Sequence, residues 1–390
     1  MGEISRRDLA GLAVVSAAAA GLAVSAPNSA QAATGTDSLD ALAKAKGFTG
    51  FGSCMGGGAE DFASSFNDAG VRAIHQRDCG ILVCENETKW VALRPNPKEY
   101  SFYLADRMVD FAQANNMLMR GHTLLWQKTQ YFPKWLANYD FGTRPASEAE
   151  RILREHITTV CTHFGTRIFT YDVVNETVDE ITGEIRQTPF TRYLGDNAID
   201  ICFDAAHKAA PHAKLVYNDY MGWGPGSAKH RDGVLKLLAR LKANKAPVHL
   251  LGIQSHIGPG TNPESQGPNT FGAADQAAWK QFLDAAVAMD LRLCLTEFDV
   301  SERGTPSDIG QRDRFMADLT KRYLDFMFAY RQTDYLMAWG MLDNYSWLQQ
   351  FGGKRPDGMI KRPSLYDGNY QPKPMRQAIA DAFRNAPPRA

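Results

Sequence analysis

The feature that most constrains this chain is a regular alternation. Eight short apolar or β-branched runs are each followed by a longer segment of helical periodicity. The runs are GFTGFG (47–52), GILVCE (80–85), MLMRGHTLLW (117–126), IFTYDVVNE (168–176), AKLVYND (213–219), HLLGIQSH (249–256), LRLCLTEFD (291–299) and YLMAWGMLD (335–343). Between them lie apolar repeats of helical spacing, such as EAERILREHITTVCTHF (148–164) and RDRFMADLTKRYLDFMFAYR (312–331). Strands without strict polar alternation suit a parallel sheet buried on both faces. Eight strand–helix units predict an α/β fold, a single (β/α)8 TIM barrel. An open doubly wound sheet is the competing architecture. It needs a glycine-rich phosphate turn opening a helix, and Gly56–Gly58 has neither the spacing nor the helix. That triplet reads as a flexible loop.

The first thirty-two residues read differently. Arg6 and Arg7 precede an alanine-rich apolar run, and Ala30-Gln31-Ala32 offers a cleavage site. The pattern predicts a signal peptide of twin-arginine type over 1–32, with a periplasmic or extracellular destination in a bacterium. A membrane anchor is the competing reading, disfavoured by the shortness of the run. Residues 33–46 are then expected to form a short N-terminal segment and 47–387 the barrel domain. Formal net charge is zero, which gives no electrostatic reason to expect nucleic acid or anionic membrane as partner. No membrane association is expected after cleavage, and the chain is expected to act as a monomer. The six cysteines contain no C-x-x-C pair, and their pairing is left open. His156 and His163 lie seven apart on a helix without a third ligand, so no metal and no cofactor is expected.

The polar residues stand where the runs stop. They are Glu85 and Asn86 with Lys89 following; His122, Trp126 and Gln127; Asn175 and Glu176; Asn218, Asp219 and Tyr220. Gln254 and His256, Glu297 and Asp299, and Trp339, Asp343 and Trp347 complete the set. C-terminal strand ends converge on one face of a parallel barrel, where barrel enzymes keep their active sites. Glu176 and Glu297 would therefore face one another across the mouth, from strands four and seven. Carboxylates, amides and flat aromatic faces suit a sugar, whose hydroxyls take hydrogen bonds while its ring stacks on indole. Two facing carboxylates suggest glycoside hydrolysis: one protonates the leaving oxygen, and the other attacks the anomeric carbon or activates water. Asp172, inside its strand, reads as the partner of a barrel cation.

At these residues the sequence resembles a known family. GHTLLW, DVVNE, YND-Y, GIQSH, LTEFD and WG-x-x-D-x-x-SW occur in the order of the family 10 glycoside hydrolases, the retaining β-1,4-xylanases. The resemblance runs from Phe51 to about Trp347. It implies a (β/α)8 barrel, with Glu176 as general acid/base and Glu297 as the nucleophile of a covalent intermediate. It implies that Asn175 holds the sugar 2-hydroxyl, that His256 and Gln254 tune the two glutamates, and that Glu85, Asn86 and Lys89 grip the next sugar. His122, Trp126, Trp339, Trp347 and Tyr220 would line the cleft. The departures are the loop after strand one, CMGGGAEDF, and Gln127, where the family carries a histidine. Glutamine keeps donor and acceptor capacity but cannot become cationic. The implied substrate is a polysaccharide or oligosaccharide, xylan first. The same chemistry on another β-glycoside, or a non-hydrolytic carbohydrate-binding protein, are the alternatives.

Overall fold

Each strand's two faces are buried, and they are buried against different things. In β2 (Ile81–Cys84), Ile81 and Val83 point into one apolar cluster while Leu82 and Cys84 join another. The first is small and inside a ring of strands, where Cys54, Val216, Leu250, Cys294, Tyr335 and Met337 also meet. The second lies between the strands and an outer layer of helices. This double burial explains why the runs lack a polar alternation.

The ring comprises β1 (Gly50–Met55), β2, β3 (Leu118–Gly121), β4 (Thr170–Asn175), β5 (Lys214–Asp219), β6 (Leu250–Ile253), β7 (Arg292–Val300) and β8 (Thr333–Ala338). All neighbouring pairs are parallel, and β8 pairs with both β7 and β1, which closes the barrel. Two-residue extensions, Leu125–Trp126 beside β4 and His256–Ile257 beside β7, prolong the wall toward the C-terminal mouth. The predicted third run is thus broken at 122–124, and the first begins three residues late, at Gly50.

The computed structural model describes residues 38–389 apart from 59–63, 259–270, 303 and 352. The signal-peptide expectation over 1–32 lies outside the described residues. The described residues form one compact unit. No helix among the described residues is long and apolar enough to cross a membrane.

The helices follow from their sequences. Pro145–Phe164 starts with proline at its first turn and stops at Gly165, whose φ of 53° ends the helix. It buries Ile152, Leu153, His156, Ile157, Val160 and Phe164 as one stripe. His156 lies flat on Trp90 at 3.8 Å between ring centroids, so it is a packing residue. The segment before residue 47 belongs to the barrel: helix Leu39–Ala45 carries Asp40, whose Oδ1 accepts from the Phe51 amide at 3.1 Å. At the other end the Arg389 guanidinium covers the Phe48 ring at 3.4 Å. Gly56–Gly58 is anchored rather than free. Gly57 N donates to Glu87 Oε1 at 2.9 Å, and a Cβ there would meet Met108 Sδ at 2.7 Å. All six cysteines are buried free thiols.

Candidate active site

The mouth is built from backbone first. Glu176 N donates to Asn218 O, Glu297 N to Gln254 O and Gln127 N to Asn175 O, each at 2.9 Å. These bonds carry the ladder to the mouth and tie five polar strand ends to their neighbours. The chain then turns sharply at Glu176 (φ 53°) and Ser255 (φ 64°), a left-handed conformation that costs a non-glycine residue roughly 1–2 kcal/mol. Tertiary bonds hold that strain where the side chains must be aimed.

The two glutamates are linked by three amides. Gln254 Nε2 donates to Glu176 Oε1 at 3.1 Å, and the Gln254 and Asn218 amides both hydrogen-bond that of Asn175 (3.2 and 2.9 Å). Asn218 Nδ2 donates to Glu297 Oε1 at 2.8 Å, and Thr296 Oγ1 donates to Asn218 Oδ1 at 2.7 Å. Both carboxylates are nearly buried, at 6% and 5% exposure, so each needs these donors.

Their surroundings differ. Burial alone would push the Glu297 carboxyl up. The neighbouring His122, the His256 imidazole that bonds to it and the Arg120 guanidinium outweigh that, holding it well below the usual range. His256 Nε2 is 3.3 Å from Glu297 Oε2, and its Nδ1 pairs with Asp299 Oδ1 at 3.0 Å. Burial opposes the imidazolium, but Asp299 and Glu297 together raise His256 well above its ordinary value. Trp347 Nε1 donates to Asp299 Oδ2 at 2.7 Å, so the same carboxylate positions an indole beside the imidazole. Below, Asp172 pairs with Arg120 and with His122 Nδ1 (2.7 Å), inside the barrel.

Glu176 has other company. Its Oε2 pairs with the ammonium of Lys128, which also lies 4.6 Å from the centre of the Tyr220 ring. Further along the mouth, Lys89 Nζ donates to Asn86 Oδ1 at 3.0 Å and stands over Trp126 at 4.7 Å. Burial pushes Glu85 up to about 7, with Glu87 and Glu297 adding to it and Lys89 opposing. Trp339 meets His122 edge-on.

Three residues hold places that the sequence pattern had not given them. Gln127 is fully buried, and neither amide atom hydrogen-bonds a described residue. The side chain after it, Lys128, is the one that reaches Glu176, and nothing in the sequence pattern singled it out. Asn218 stood at its strand end in plain view, but no motif had given it the bridging place it holds.

The profile of glycosyl hydrolase family 10 matches residues 38–382. The chain belongs to glycosyl hydrolase family 10. Among its relatives, endo-1,4-beta-xylanase B of Paenibacillus barcinonensis is 32% identical over 75% of this chain and 85% of that protein. Endo-1,4-beta-xylanase 2 of Claviceps purpurea is 31% identical over 93% and 96%. The structure of xylanase 10B from Thermotoga petrophila RKU-1 in complex with xylobiose superposes with a TM-score of 0.76, at 27% identity over 89% of this chain and 97% of that one. The family's (β/α)8 barrel and this one are the same fold, and this chain is a glycoside hydrolase.

Proposed function

We propose that this family 10 enzyme cleaves internal β-1,4-xylosidic bonds of xylan by double displacement, with Glu297 as nucleophile and Glu176 as general acid/base. The observation that carries the reading is the asymmetry of the linked pair. Glu297 is held ionised among two imidazoles and a guanidinium, as a nucleophile requires, while Glu176 takes an amide on one oxygen and the Lys128 ammonium on the other. Glu297 attacks the anomeric carbon as the bond to the leaving oxygen breaks, and Glu176 gives that oxygen its proton. Water then attacks the glycosyl ester, gives its proton back to Glu176 and frees Glu297. Asn175 takes the 2-hydroxyl; Glu85, Asn86 and Lys89 take the next sugar; Trp126, Trp339 and Trp347 wall the cleft, and Tyr220 lies on the leaving-group side. The names of the relatives and the xylobiose complex support xylan as substrate. The twin arginines and cleavage pattern support export before action. Replacing Glu297 by Ala should abolish release of reducing sugar from xylan; retained activity would remove the nucleophile assignment.

A second substrate reading rests on Gln127, where the chain departs from its resemblance. The same chemistry would then serve a decorated or non-xylan β-glycoside. Rates on xylan, cellulosic oligomers and aryl glycosides separate the two, and a clear preference for xylan rejects the second.

A further inference from the structure

The Tyr220 ring has two neighbours packed on it, His230 and Lys128. His230, 1% exposed, meets it edge-on with its ring centroid 5.0 Å away, and its Nε2 pairs with Asp219 Oδ1 at 3.2 Å. The Tyr220 hydroxyl donates to Glu180 Oε2 at 2.7 Å and accepts from Arg186 Nη2 at 2.8 Å, so the ring is held at both ends. The ammonium of Lys128 stands against the ring at 4.6 Å, its side chain 23% exposed. That same ammonium pairs with Glu176 Oε2. Oε1 is already occupied by the Gln254 amide, so Oε2 is the oxygen available to hand a proton to a leaving group.

A sugar leaving from this side needs an aromatic face to stack on and an approach to Glu176 Oε2. Lys128 occupies both. We propose that Lys128 is a specificity-determining residue: in the resting enzyme it fills the leaving-group side of the cleft, and a glycosyl unit entering there must first displace it. The inference rests on the proposed xylan-cleaving function and narrows it. The chain should hold sugars on the Glu85–Lys89 side more readily than on the Tyr220 side. A partly buried cation–aromatic contact and a partly buried ion pair together amount to about fivefold in affinity.

The test is binding without turnover. In a Glu297→Gln background, calorimetry compares xylobiose, which the Glu85–Lys89 side can hold alone, with xylopentaose, which must cross to the Tyr220 side. Adding Lys128→Ser should tighten xylopentaose about fivefold and leave xylobiose unchanged. Lys128→Arg, which keeps the cation, should behave as lysine does, and unchanged thermal unfolding shows each variant folded. Equal effects on both ligands, no effect, or weaker xylopentaose binding overturn the proposal, the last because it would make Lys128 a ligand of the sugar. An unsubstituted enzyme that cleaves no xylo-oligosaccharide would instead sink the functional reading, and this inference with it. A cleaving enzyme with an unchanged ligand ratio sinks only the inference.

Discussion

Glu297 and His256 show how single residues set both chemistry and stability. The Glu297 carboxyl is held from its ordinary 4.5 down to about 2, burial being outweighed by His122, His256 and Arg120. Its contribution to stability is therefore present above pH 4.5 and lost as pH falls through the lower value. His256 moves the opposite way, from 6.5 up to about 10, burial being outweighed by Asp299 and Glu297. Its contribution is present below pH 6.5 and lost as pH rises toward 10. Thermal unfolding followed against pH should thus show a plateau between the two ordinary values, and His256→Gln should flatten the alkaline decline. An alkaline limb that survives that substitution would place its cause elsewhere. At this scale the sequence was readable where chemistry demands a residue type at a strand end, as at Glu176, Asn175 and Glu297. It was not readable at Lys128, because a lysine in a connecting segment carries no periodic signal and its contact depends on how the chain leaves Trp126.

Elements transmit packing to the site. Gly252 of β6 stands beside Asn218 of β5 in the ladder, and a Cβ there would meet Asn218 Oδ1 at 2.4 Å. Asn218 holds Glu297 Oε1, so the glycine is what lets the amide lie between the glutamates. Gly252→Ala should leave circular dichroism unchanged and lower kcat by on the order of 10²-fold through misplacement of Asn218. Unaltered kcat would show the amide bridge to be dispensable. The strand runs were legible because burial on both faces gives continuous apolar stretches. Their edges were less so: β3 breaks at 122–124 and β1 starts at Gly50, both decided by pairing with neighbours rather than by composition. The glycine triplet at 56–58 looked free in sequence, since the Glu87 and Met108 contacts that anchor it come from distant segments.

The whole molecule depends on closing the ring, where the first and last elements meet. Phe383, on the final helix Pro374–Asn385, is fully buried against Phe48, Phe51 and Phe328, at centroid distances of 5.1, 6.3 and 4.8 Å. Phe383→Ala should cost about 3–5 kcal/mol in urea unfolding and leave KM unchanged, because the cluster lies away from the mouth. A changed KM with little loss of stability would contradict that separation. The central claim concerns the reaction the closed barrel performs: Glu297 forms a covalent intermediate, and water displaces it from the opposite face, the one the leaving group left. Proton NMR of xylo-oligosaccharide hydrolysis, recorded before the products mutarotate, tests this directly. The account predicts that the β-anomer of the newly formed reducing end appears first; an initial α-anomer would contradict it.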